Sequence, residues 1–239
     1  MERLAFIIAI LILLFSSCTS CIRYTERVYL SSNSNTTWPY YLSVAMVTST
    51  PTKKGKGKTF LATAWAIDKD YMMTAGHFCV RMKDQLKKKM TGKKIKLLRS
   101  NIDGILSKHV VDATIFAVDE EKDMCILKSP GHSFIPLILS SHFDLLQTGD
   151  HVTAIGAPRG LFPVRTDGYI TQLKAYMFAK PMNDMMLVKI DIDHGNSGGP
   201  VFWRNEVIGM AVAVSLVGRD NALVVPVTQI KDFIKKKIR

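Results

Sequence analysis

Gly195-Asn196-Ser197-Gly198-Gly199-Pro200 sets a serine among glycines near the end of the chain, and no histidine follows it. All six histidines, His77, His109, His132, His142, His151 and His194, lie upstream. A serine hydroxyl is a weak nucleophile at neutral pH and becomes a strong one beside a base that takes its proton. If Ser197 carries chemistry, its base comes from earlier in the chain.

That order removes one fold at once. Gly-x-Ser-x-Gly also fits the nucleophile elbow of α/β-hydrolases, but there the acid and the histidine follow the serine. Histidine-acid-serine on β-barrels and acid-histidine-serine on an α/β scaffold remain. Strand content separates them. From residue 42 onward, short β-rich stretches alternate with turn signals: 42–48, 59–67, 71–74, 94–98, 110–118, 124–127, 150–155, 168–173, 185–190, 200–203, 207–214 and 222–225. Closely spaced short strands predict an all-β sandwich or barrel. Helical spacing is confined to 77–90 and to the C-terminal end. There Val227, Ile230, Ile234 and Ile238, widened by Phe233, oppose Lys231, Lys235 and Lys236. Long helices do not alternate with strands, so the α/β scaffold is disfavoured. No internal repeat is visible. The seam is placed at 129–136, where Pro130-Gly131 and Pro136 break the pattern, with one barrel on each side.

Several short motifs then occur in one order: Thr74-Ala75-Gly76-His77, Asp123-Met124-Cys125-Ile126-Leu127, Ala154-Ile155-Gly156-Ala157-Pro158, Thr166-Asp167-Gly168-Tyr169-Ile170, the Ser197 hexapeptide and Val207-Ile208-Gly209. Through them the chain resembles the trypsin-like serine peptidases, nearest to the compact bacterial Deg (HtrA-like) and glutamyl-endopeptidase branches, over about residues 42–239. The resemblance implies two antiparallel six-stranded Greek-key barrels, 41–132 and 133–226, with a short amphipathic helix at 227–238 and the active site between the barrels. It also implies roles. Ser197 is the nucleophile, His77 the general base and then acid, Asp123 the carboxylate that orients the imidazole, and the N–H groups of Gly195 and Ser197 the oxyanion hole. Asp112 is the rival acid, while Asp103 is a lesser competitor and Asp119 reads as part of a solvated acidic turn. Asp191, six residues before Ser197, and His194 are candidates for the substrate pocket. Asp191 equally fits the wet side of a strand between Ile190 and Ile192, and the histidines other than His77 read as surface residues. Gly76, where the family more often has another small residue, reads as a neutral change.

Composition bounds the rest. With 47% hydrophobic and 22% charged residues the chain has the make-up of a globular protein. Arg3 followed by an unbroken apolar run at 4–15 and then Ser16-Ser17-Cys18-Thr19-Ser20 has the layout of an export signal. Twelve residues of helix cover roughly 18 Å, short of the about 30 Å of a bilayer core. The reading is a signal at 1–18, with Cys18 a lipidation candidate in a sequence like a bacterial lipobox, and a polar tether at 19–40. The protein is thus expected to be exported, to a periplasm or cell envelope or beyond. Cys79 and Cys125 stand two residues past His77 and Asp123; a bridge is open to them, but two buried free thiols are the expected state. The net charge of +12 gathers at 53–58, 81–99 and 235–237 without interleaved aromatics. Nucleic acid is therefore not an expected partner, and an anionic membrane surface is a possible one. Protein or peptide is the expected substrate. No metal site or cofactor motif is found, and a peptide-binding PDZ domain of the Deg type is not expected within the chain. The alternative to an enzyme is a catalytically silent, protease-shaped binding or scaffold protein at the envelope.

Overall fold

The computed structural model describes residues 43–49, 60–87, 95–100, 106–177, 180–181, 184–214 and 220–238. The apolar run at 4–15, Cys18, Cys21, the segment expected to be a tether, the lysines at 53–58 and Asp103 lie outside the described residues.

The first barrel is built from β1 (Val44–Ser49), β2 (Leu61–Ala66), β3 (Tyr71–Ala75), β4 (Ile95–Ser100), β5 (Leu106–Asp119) and β6 (Met124–Lys128), closed in the order β1-β2-β3-β6-β5-β4. Helix α1 (Gly76–Lys87) leaves β3 directly. The second barrel uses β7 (His151–Gly156), β8 (Val164–Gln172), β11 (Met186–Ile190), β12 (Pro200–Trp203), β13 (Glu206–Val214) and β14 (Asn221–Pro226). Two-residue strands β9 (Tyr176–Met177) and β10 (Lys180–Pro181) form a separate small hairpin. The second barrel closes as β7-β8-β11-β14-β13-β12, so the strand order of the first barrel is repeated without any repeat in sequence. All named pairings are antiparallel, and closure leaves no free sheet edge in either barrel. The all-β, two-barrel expectation holds. β5 begins earlier than the apolar pattern indicates, because Leu106 pairs with Ser100 beyond a register shift.

Each barrel has its own core. Ala45, Val47, Ala62, Ala64, Met72 and Leu97 help fill the first; Val152, Ile170, Met186, Val188, Val201 and Val224 help fill the second. β2 explains why its sequence is apolar without alternation. Its even-numbered alanines point into the first barrel, while Thr63 and Trp65, both 0% exposed, are buried on the opposite face. Successive side chains of a strand point to opposite faces, so a strand covered on both sides shows no polar stripe. Helix α2 (Val227–Lys237) buries Val227, Ile230 and Phe233 and packs on β13 and β14, with Lys235, Lys236 and Lys237 in its last turn, where cations favour the helix dipole.

Two expectations are corrected here. Cys79 and Cys125 form a disulfide, with Cα atoms 6.4 Å apart, in place of two free thiols. Register brings them together: Thr74 pairs with Cys125 and Ala75 with Met124, so the first turn of α1 sets Cys79 over β6. Replacing both cysteines by alanine frees a crosslink across 46 residues of chain, and the expected loss is up to about 4 kcal/mol of unfolding free energy, read from urea titrations. An unchanged urea midpoint would show that the bond contributes nothing. His132 is buried, not superficial: it is 7% exposed, its Nδ1 accepts the Phe134 N–H at 3.3 Å, and burial holds its pKa below the ordinary histidine value.

Candidate active site

His77 is the second residue of α1, at the point where β3 ends. The loop joining β5 to β6 comes alongside and delivers Asp123 in the left-handed region, at φ +54°. Four contacts fix this pair. The Gly76 N–H donates to Asp123 O at 2.9 Å, and the His77 N–H donates to Asp123 Oδ1 at 2.6 Å. The imidazole Nδ1 lies 3.1 Å from Oδ1 and 2.9 Å from Oδ2. The carboxylate therefore holds both the main chain and the ring of the histidine, and favours the tautomer with a proton on Nδ1. Gly76 is not a neutral position. A Cβ there would come within 2.8 Å of the Asp123 carbonyl carbon and the Met124 nitrogen, which are backbone atoms.

The Ser197 loop crosses from the second barrel and docks on β2 and β3. Thr63 N–H donates to Ser197 O at 2.8 Å, and the Thr63 hydroxyl donates to Gly195 O at 2.7 Å. The same hydroxyl accepts the Ala157 N–H at 3.1 Å, and Thr63 O accepts the Thr74 hydroxyl at 2.7 Å. Gly198 faces this contact: an added Cβ would lie 2.2 Å from Thr63 O and 2.5 Å from Thr74 Oγ1. Gly195 needs freedom as well as space, since its φ is +107° and its Cβ would meet Ala157 O at 2.1 Å. Within the loop, Gly199 N–H donates to Asn196 O at 2.8 Å and Gly198 N–H to Ala211 O at 2.6 Å. Among the described residues, the N–H groups of Gly195 and Ser197 have no hydrogen-bond partner. Both donors are thus open to an acceptor from outside the loop. The Ser197 hydroxyl donates to Val212 O at 3.2 Å.

The other sequence candidates fall apart from this centre. Asp112 pairs with Lys96 on the surface of the first barrel, and Asp119 Oδ1 accepts the Lys122 N–H at 3.0 Å in the turn before Asp123. Asp191 is exposed between buried Ile190 and Ile192. His194 is exposed; its N–H donates to Asp193 Oδ1 at 2.7 Å and its carbonyl accepts the Arg159 N–H at 2.6 Å. His142 and His151 are exposed too, with carboxylate partners Glu206 and Asp167. Sequence reasoning missed Thr63, Arg159 and Asp193, and named Thr74 only as part of the motif leading to His77. Their contacts reach across long stretches of chain, and only the Ala154–Pro158 motif adjoining Arg159 hinted at that region.

Two closed six-stranded antiparallel barrels of identical strand order define the chymotrypsin-like class of fold. A family model described as trypsin-like peptidase domain matches residues 62–210. The chain belongs to the trypsin-like peptidase domain family. It is 28% identical over 133 residues to a probable periplasmic serine endoprotease, DegP-like, of Rhizobium meliloti, the match covering 54% of this chain and 26% of that protein. Serine protease HTRA1 of Xenopus tropicalis is 32% identical over 128 residues, or 52% of this chain and 27% of its own. The chain thus spans about a quarter of the length of these relatives. Among solved structures, the active form of the Rv3671c protease of M. tuberculosis superposes with a TM-score of 0.64 at 20% identity, covering 83% of this chain and 82% of that one. Deg5 gives 0.65 at 18% identity, with 87% and 92% covered. At these identities the likeness is one of fold.

Proposed function

We propose that the chain is an exported serine endopeptidase of the Deg type that hydrolyses peptide bonds through an acyl-enzyme. The observation that carries this reading is the His77–Asp123 pair, joined by three hydrogen-bond contacts and a fourth from Gly76 N–H, together with a serine loop docked on β2 whose Gly195 and Ser197 N–H groups have no partner among the described residues. In the reaction His77 Nε2 takes the proton of Ser197 Oγ as that oxygen bonds to the scissile carbonyl carbon. The carbonyl oxygen becomes an oxyanion and receives the Gly195 and Ser197 N–H groups, which donate most strongly to it because its charge is then greatest. Asp123 stabilises the imidazolium through Nδ1–H. His77 next protonates the departing amine, and a water activated by the same nitrogen hydrolyses the ester. To begin, the Ser197 hydroxyl gives up its hydrogen bond to Val212 O.

Export rests on the leader layout at 4–15 and accords with the relatives described as periplasmic; membrane attachment through Cys18 and the basic runs is the finer part of the same reading. The hydrogen bond of Ser197 to Val212 O favours the second reading, a silent protease-shaped binding protein. One intact-mass measurement tests both questions on protein expressed from the full sequence in a bacterial host and treated with a fluorophosphonate. The expected spectrum shows one adduct, mapped to Ser197, on a chain lacking its leader. Folded protein that stays unmodified would overturn the peptidase reading, and a chain retaining Met1 would overturn export by cleavage.

A further inference from the structure

We propose that Arg159 is a positioning residue for the oxyanion hole, holding the Gly195 loop in its donating orientation through both its main chain and its guanidinium. The inference rests on the peptidase reading of Ser197.

The argument begins with the peptide plane. A trans peptide is planar, so a carbonyl and the N–H that follows it point in opposite directions. His194 O is engaged by the Arg159 N–H at 2.6 Å, which aims the Gly195 N–H the other way. Asn196 O is engaged by the Gly199 N–H, which does the same for Ser197 N–H, but from inside the loop. Of the two donors of the hole, only Gly195 therefore depends on a peptide held from outside.

Arg159 offers its N–H in an uncommon conformation, φ +51° and ψ +23°, in the short turn Pro158–Gly160 after β7. A side-chain-bearing residue rarely occupies that region unless its surroundings hold it there. Here its own side chain helps: Arg159 Nε donates to Asp193 Oδ2 at 2.5 Å. Asp193 is itself tied into the loop, with Oδ1 accepting the His194 N–H and its carbonyl accepting the Asn196 N–H at 3.0 Å. The His194 N–H and the Arg159 guanidinium hold the Asp193 carboxyl below its ordinary pKa. One residue thus grips Asp193 with its side chain and His194 with its main chain. Behind it the turn is braced, because Ala157 N–H donates to the Thr63 hydroxyl that also donates to Gly195 O. The ion pair is open to solvent, at 74% and 33% side-chain exposure, so dissolved salt weakens it.

Arg159→Gly isolates the side chain, since glycine accepts the same φ and keeps the N–H. The expected result is a fall of about twofold to fivefold in kcat and in the rate of fluorophosphonate labelling, the size of one exposed ion pair, with KM unchanged. Arg159→Lys should recover most of the loss. Raising salt from about 0.05 to about 1 M should slow the parent and leave Arg159→Gly unaffected. Labelling of Arg159→Gly at the parental rate, a loss confined to KM, or equal salt sensitivity in both proteins would overturn the proposal. Should Arg159→Gly fail to fold, Asp193→Asn carries the same comparison. A parent protein that takes no label overturns the peptidase reading and this inference with it; a labelled parent with an equally labelled variant overturns this inference alone.

Discussion

Ser197→Ala is expected to lower kcat on a cleavable peptide by about six orders of magnitude and to remove fluorophosphonate labelling entirely. The substitution deletes one oxygen. The backbone contacts of the loop, from Thr63 N–H to Ser197 O and from Gly198 N–H to Ala211 O, do not use the hydroxyl, so the loop stays docked on β2. Only the contact to Val212 O disappears. Melting temperature should accordingly move by no more than a few degrees, the scale of about 1 kcal/mol or less in a domain of this size. A variant that keeps even a hundredth of the parental rate would place the nucleophile elsewhere.

Asp123→Asn should reduce kcat by about four orders of magnitude, roughly 5.5 kcal/mol of transition-state stabilisation, while the protein remains folded. Asparagine tolerates left-handed backbone nearly as well as aspartate, so the φ of +54° is not an obstacle. Its amide oxygen can still accept the His77 N–H, now bound at 2.6 Å by Oδ1. The second oxygen is the one that matters. At that place an NH2 would donate to Nδ1, driving the imidazole proton onto Nε2, the nitrogen that must be free to receive the Ser197 proton. The double variant with Ser197→Ala should be no slower than Ser197→Ala alone, because the two groups act as a unit. Unimpaired kcat in Asp123→Asn, with folding confirmed by an unchanged far-ultraviolet spectrum, would remove Asp123 from the mechanism.

Much of the architecture was legible because it is written in short-range pattern. Runs of β-rich residues mark each of the twelve barrel strands, and the stripe of Val227, Ile230 and Phe233 marks the closing helix. The three residues proposed for the triad each lie at the boundary of a strand: His77 just after β3, Asp123 just before β6, and Ser197 three residues before β12. Periodicity served less well where burial has a long-range cause. His132 reads as a loop histidine between turn residues, yet the chain folds it inward beside Phe134. Cys79 and Cys125 read as two thiols until the pairing of β3 with β6 sets one over the other.

The order of histidine, acid and serine, the strand pattern and the glycines around Ser197 are properties of the chain as text, and they were enough to choose two β-barrels over an α/β scaffold. The bracing of the Ser197 loop was not available there. Thr63 meets Gly195 across 132 residues and Ala157 across 94, and Arg159 meets Asp193 across 34. Such contacts leave no local periodicity: those of Thr63 arise where a strand of one closed barrel meets loops of the other, and that of Arg159 where two loops of the second barrel come together.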